Sequence, residues 1–414
     1  MDATASRSTS TASGSAPAAP GLPRVPELDG LRALLAWWVV VYHAGGNTFS
    51  VAYQIRTGPL AVLANGSLAV QVFMILSGFV IFFLLDRQHE RLGPFLLRRG
   101  LRLYPVYALC FLAMVGLQGV YIGNLRAMQP HLDPTAFSQQ LYDAEQPLRD
   151  LALQLLVHAP MLHGAIPSDS LHFAAGAFLM PAWSISLEWQ FYLIAPLLFW
   201  LVQRGRAGVA ALAIATALVF ATRGAWPEFG FDAFLPLQLH LFVLGIASYY
   251  AFKRVALATQ KPAWLAATPA LVLAGIAGLV AVQCLRLGVV RATTPAKWYP
   301  LAIWAFTFAV LLARIAGAEG VLVRATARVL RLRPLERLGV VSYSTYLAHW
   351  PVLVLCQAAF RTLLDDPQPR TLFALHLAIS MPLVAAVSFA LYRFVEAPGI
   401  ALGRRLAQRM APRG

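Results

Sequence analysis

Charged side chains are scarce in this sequence. Aspartate, glutamate, lysine and arginine together make up 12% of its 414 residues, about half the share found in an ordinary soluble domain. With 59% hydrophobic residues, a water-soluble globular fold is excluded, because too little polar surface is left to cover the apolar mass. Cysteine is nearly absent: Cys110, Cys284 and Cys356 stand singly in apolar stretches far apart, which suggests neither a disulfide framework nor a cysteine-based zinc site. Residues 1–26, rich in Ala, Ser, Thr and Pro, have no apolar core. They are expected to form a disordered cytoplasmic tail, neither signal peptide nor spanning helix. There is no internal repeat of the transporter kind, and no basic module of the nucleic-acid-binding type.

Long apolar runs are plentiful. Ten stretches near 31–49, 67–85, 101–121, 182–202, 207–222, 234–252, 264–285, 298–315, 338–360 and 372–394 are apolar enough to be candidate membrane spans, which need about 20 residues each. The pattern predicts an all-α, polytopic membrane protein. With the N-terminus inside, inner segments hold 22 of the 33 lysines and arginines and outer loops hold 9, so both termini are expected on the cytoplasmic side. The densest basic clusters, Arg87 to Arg102 and Arg324 to Arg337, flank spans and read as topological anchors. Between the third and fourth spans an external loop over residues 122–181 carries His131, His158, His163 and His172. These lack metal-ligand spacing and are expected at solvated or interfacial positions. Within that loop, "LRDLALQLLVHAPML" is amphipathic and suited to the membrane surface.

Ionisable groups inside spans are costly in hydrocarbon and mark candidate functional sites. The first span, "LDGLRALLAWWVVVYHAGG", holds Arg32 and His43; eleven helical residues return to within about 20° of the starting direction, so the two share a face some ~16 Å apart. In the fourth span Ser184, Glu188 and Tyr192 form a one-sided stripe. Counted inward from Pro181 as the outer boundary, Glu188 falls near the depth of His43, and the two are expected to face each other. In the ninth span Ser342, Tyr346 and His349 form another stripe. Ser77 and Gly78 interrupt the bulky residues of the second span, as small residues do where helices approach closely. A histidine oriented by a carboxylate suits acyl transfer to a hydroxyl. The same groups would equally relay protons in a transporter or flippase.

Six stretches, "PELDGLRALLAWWVVVYHA", "VQVFMILSGFVIFF", "FLLRRGLRLYPVY", "PAWSISLEWQFYLIAPLLF", "VSYSTYLAHWPV" and "LYRFVEAPG", resemble in order the motifs of the bacterial acyltransferase family 3 membrane proteins, from about Pro26 to Gly399. The resemblance implies one transmembrane domain over residues 27–399, followed by a short basic cytoplasmic tail over 400–414. It also implies a multi-pass inner-membrane enzyme that moves an acyl group, often acetyl, from cytoplasmic acyl-CoA to a hydroxyl of a carbohydrate or glycolipid acceptor, with no bound cofactor and no metal.

The family's essential arginine and histidine on the first helix match Arg32 and His43, which would stand at the cytoplasmic mouth and at the reaction depth of a tunnel. Arg98, Arg99 and Arg102 match its basic motif, a fit for CoA phosphates. Glu188 matches the glutamate of its tryptophan–serine motif. Ser77, Ser184, Tyr192, Tyr346 and His349 are expected along the tunnel or against the acceptor. Where the family often has Glu-Arg-Pro, this chain has Glu396, Ala397 and Pro398, so Glu396 is read as structural. Some members carry an extracytoplasmic hydrolase-like domain that this sequence lacks; either the transfer ends in the membrane domain or a separate extracytoplasmic protein finishes it.

Overall fold

The computed structural model describes residues 25–46, 65–88, 91–287, 298–365 and 367–410. The expected tail over residues 1–26 therefore lies almost wholly outside the described residues. The described chain is helical without strands, and each apolar run of the sequence is a helix. The first three are α1 (Glu27–Gly46), α2 (Gly66–Gln88) and α3 (Leu92–Ala127). Two short helices of the long loop follow, α4 (Pro134–Arg149) and α5 (Leu151–His158). The next five runs are α6 (Trp183–Gln203), α7 (Arg206–Ala221), α8 (Leu235–Leu257), α9 (Thr268–Leu287) and α10 (Tyr299–Ile315). Two short basic helices, α11 (Val321–Leu330) and α12 (Arg333–Val340), lead into α13 (Ser342–Leu364). The last run is a near-continuous rod of α14 (Pro369–Leu375), α15 (Met381–Leu391) and α16 (Ala397–Arg409), joined by π-helical turns at His376–Ser380 and Tyr392–Glu396.

Among the described residues six segments are long and apolar enough to cross a bilayer: those containing α2, α3, α6, α8, α13 and the α14–α16 rod. The protein is a polytopic all-α membrane protein. α7 and α10, with 16 and 17 residues, reach only about 24 to 26 Å at 1.5 Å per residue, short of the ~30 Å hydrocarbon layer.

α2 is the hub of the bundle. It packs along α8 through glycines: a Cβ on Gly78 would strike the Phe242 backbone, and one on Gly245 would strike the backbone of Ile75 and Phe79. Small residues let transmembrane helices approach to backbone contact. Gly245→Ala is therefore expected to destabilise the fold by about 1–3 kcal/mol through overpacking, measured as a lower unfolding temperature in detergent.

The long loop does not stay outside the bundle. From Met161 to Ala182 most of its residues are buried. Tyr107 on α3 donates to the His158 carbonyl at 3.1 Å, and the His163 ring donates to the Ala182 carbonyl at 3.1 Å. The Gly164 N–H reaches Ser186 Oγ at 2.9 Å. His158 and His163 are fully buried and stacked 4.1 Å apart, which overturns the solvated or interfacial positions expected for them. Burial pushes the His158 imidazole down to about 4, so the pair stays neutral and packs like aromatic rings. His172 is half-buried and bonds Asp143 at 2.8 Å. Along α5 the amphipathic stretch presents Leu153 and Leu156 outward.

Candidate active site

Two cavities, called inner and outer after the topology expected from the sequence, lie near Tyr346 and His349. The inner one collects side chains from five helices: Arg32 of α1, Ser77 of α2, Arg99 and Arg102 of α3, Glu188 and Tyr192 of α6, and Tyr343 and Tyr346 of α13, among others. Each helix supplies one polar stripe to an otherwise apolar lining, as the i, i+4 spacing of Ser184, Glu188 and Tyr192 requires.

Three arginines, Arg32, Arg99 and Arg102, stand here against the carboxylates Asp29, Glu188 and Glu396. Arg32 is held by Asp29 at 3.1 Å. Arg99 is buried between aromatic rings, its guanidinium 5.9 Å from the Phe95 centroid and 5.7 Å from that of Tyr192. Its Nε has no hydrogen-bond partner. Arg102 stands within electrostatic reach of Glu188 and Glu396. Glu188 accepts the Tyr192 hydroxyl, and Glu396, almost fully buried in the second π-helical turn, accepts Ser344 Oγ at 2.7 Å. A buried guanidinium without an acceptor is costly, and it presents forked donors to any phosphate that enters. Ser77 Oγ is likewise buried without a partner. Gly78 beside it does the packing, and Ser77 faces the cavity.

The outer cavity, about 320 Å³, has His43 in its lining with Tyr42, Tyr121, Asp143, Phe178 and Trp350. Between the two cavities stand Tyr346 and His349. Ser184 Oγ donates to the Tyr346 hydroxyl at 2.7 Å, which donates to the Pro181 carbonyl at 3.0 Å. The Tyr346 ring is T-shaped to both Phe73 and His349. His349 is fully buried, with Nε2 3.0 Å from His43 Nδ1.

That contact fixes which nitrogen of His43 is basic. His349 Nδ1 lies 3.2 Å from the Thr345 carbonyl, so it must donate there, and with both rings neutral its Nε2 is an acceptor. His43 Nδ1 then carries the hydrogen, and the lone pair of His43 is left on Nε2, an assignment that follows from the hydrogen-bond network.

The structure departs from the sequence-based site in three places. Glu188 does not face His43; it lines the inner cavity with Arg32, Arg99 and Arg102, and the partner of His43 is His349. The depth count took Pro181 as the outer boundary. In the fold the preceding loop turns into the bundle, so Pro181 meets Tyr346 well inside, and Glu188, about 10 Å further along α6, falls on the arginine side. Arg98, unlike Arg99 and Arg102, is not in the lining of the inner cavity. It lies 100° around α3 from Arg99, bonds Gln88, and its Cα abuts Gly403 of α16. Glu396, read as structural from sequence, is instead a neighbour of Arg102. The π-helical turn that aims it inward has no simple sequence signature.

The acyltransferase domain family Acyl_transf_3 matches residues 25–393. The chain belongs to this acyltransferase family. The acyltransferase is similar to Acyltransferase MdmB of Streptomyces mycarofaciens, 29% identical over 355 residues that cover 81% of this chain and 80% of the relative. No solved structure matches it. The matched region holds every residue named in the two cavities and the partition; of the site's neighbours only Glu396 falls beyond it. The acyltransferase is an enzyme that transfers acyl groups, and the transporter reading of its buried histidines and glutamate gives way to that.

Proposed function

We propose that this membrane O-acyltransferase takes a short acyl group, in the simplest case acetyl, from cytoplasmic acyl-CoA and gives it to a hydroxyl of a carbohydrate or glycan-type acceptor. The setting proposed is the bacterial inner membrane, with both termini cytoplasmic. The observation that carries the reading is the pairing of a cavity lined by three arginines, one of them with a buried unpartnered Nε, with a second cavity lined by a histidine. Arg99 and Arg102, with Arg32, would hold the CoA phosphates. The pantetheine arm would then point past Ser77 toward Tyr346, whose side chain must swing aside for the thioester to reach His43.

In the transfer itself the acceptor oxygen attacks the thioester carbonyl carbon while its proton passes to His43 Nε2. The tetrahedral adduct collapses, the C–S bond breaks, and the CoA thiolate takes the proton back from His43. His349 keeps Nδ1 of His43 occupied and so directs Nε2 at the acceptor. The acyl ester, CoA thiol and regenerated His43 account for every atom.

The test is purified protein in lipid nanodiscs with acetyl-CoA, read as free-thiol release, alongside mass spectrometry of surface glycans and secreted products from cells with and without the gene. Thiol release and a loss of acyl mass in the deleted strain are expected. A folded protein that neither binds acetyl-CoA nor alters any product would overturn the proposal.

A further inference from the structure

The outer cavity carries chemistry that the transfer reaction leaves unspecified. Six of its lining residues are aromatic, among them Tyr42, Tyr121 and Trp350. Among the described residues no lysine or arginine lines it, and Asp143 is its one carboxylate. Both hydrogen bonds to Asp143, from His172 Nε2 and Gln139 Nε2 at 2.8 Å each, fall on Oδ1. They pin the carboxylate and, among the described residues, leave Oδ2 without a protein donor. Tyr121 lies within electrostatic reach of it. Arg126, nearby in sequence to Tyr121, is occupied by Glu145 at 2.8 Å.

The walls are also held in place at a cost. Phe173, Phe178 and Phe231, all in the lining, have left-handed backbones with φ of 54°, 58° and 58°. Bulky residues rarely adopt that region, and such strain persists where the surroundings over-determine it, most often at binding sites. Gly176 supplies the space: a Cβ there would strike the Phe173 and Phe231 rings at 2.7 Å. The rings are therefore set before any ligand arrives, which lowers the cost of binding.

Among the described residues the lining is an aromatic box with one carboxylate and no lysine or arginine, which attracts positive charge and repels negative charge. We propose that the outer cavity takes the acceptor as a ring-bearing hydroxyl compound with a protonated amine, of the amino-sugar class, with Asp143 and the Tyr121 side of the box as its cation subsite. Anionic sugars are excluded by the same arrangement. The inference rests on the reading of this cavity as the acceptor side, and it narrows the acceptor class by charge.

The experiment uses the full chain in nanodiscs without acyl-CoA and measures calorimetric binding of three matched probes: 4-nitrophenyl β-glucosaminide, β-glucoside and β-glucuronide. The glucosaminide is expected to bind about tenfold more tightly than the glucoside, and the glucuronide more weakly than either. Asp143→Asn should remove the preference for the amine, while Asp143→Glu should retain it. Acetyl-CoA binding at the inner cavity reports that each variant is folded. Equal affinity for the three probes, or an unchanged preference in a folded Asp143→Asn protein, would overturn the proposal. Thiol release and product acylation without any charge preference would overturn it alone. An amine preference in a protein that releases no thiol would support it and count against the transfer reading instead.

Discussion

His43→Ala is expected to lower acyl transfer by about 10²- to 10⁴-fold, the usual contribution of a positioned general base, while acetyl-CoA binding stays intact. The two readouts separate because His43 lines the outer cavity and the arginines line the inner one. The wild-type rate should also fall on the acid side, since protonation of Nε2 removes the lone pair that accepts the hydroxyl proton. His349→Gln should give a smaller loss, confined to kcat, because an amide can still accept from His43 Nδ1 and preserve the tautomer. His349→Phe, which cannot accept, should approach the His43 variant. A His43→Ala enzyme that turns over near the wild-type rate would remove this mechanism.

The second large effect is expected at the donor end. Arg99→Ala and Arg102→Ala should each weaken acetyl-CoA binding by about 1.5–3 kcal/mol, the worth of a hydrogen bond to a charged group. That corresponds to about 10- to 150-fold in Kd, measurable by calorimetry on the purified protein. The double variant should leave the acid limb of the rate profile in place, because neither guanidinium approaches the histidine pair. Glu188→Gln is expected to act with this group, changing the KM for acyl-CoA and sparing the pH profile. Arg98→Ala is the control: bonded to Gln88 and packed against α16, it should bind donor normally. An Arg98 variant as weak as Arg99 would mean that phosphate is held on a different face of α3.

What could be read from sequence was whatever depends on one helix at a time. The ten apolar runs, the common face of Arg32 and His43, and the stripes Ser184–Glu188–Tyr192 and Ser342–Tyr346–His349 all follow from length and a 3.6-residue period. The failures came from placing helices relative to one another. The depth of Glu188 depended on where α6 begins, and that is set by a loop whose buried polar groups are satisfied by Tyr107 and Ser186. The stacked His158 and His163 belong to the same inward-folded loop, so they too were misread as surface groups. The His43–His349 contact joins residues 306 positions apart, beyond any periodicity. The position of Glu396 beside Arg102 turned on a π-helical turn that redirects the last helix by a fraction of a turn.

Under the proposed orientation, the layer formed by Tyr346 and His349 has a second duty that catalysis does not explain. A protein open to reactants from both faces of an energised membrane would dissipate the ion gradient unless something insulates one side from the other. Here that layer would be Tyr346 and His349, held by the Ser184–Tyr346–Pro181 hydrogen bonds and by the packing of Phe73 on Tyr346. It has to open once per turnover. When it does, the donor's own slender arm lies in the gap, so the moment of greatest permeability coincides with the moment at which the passage is filled.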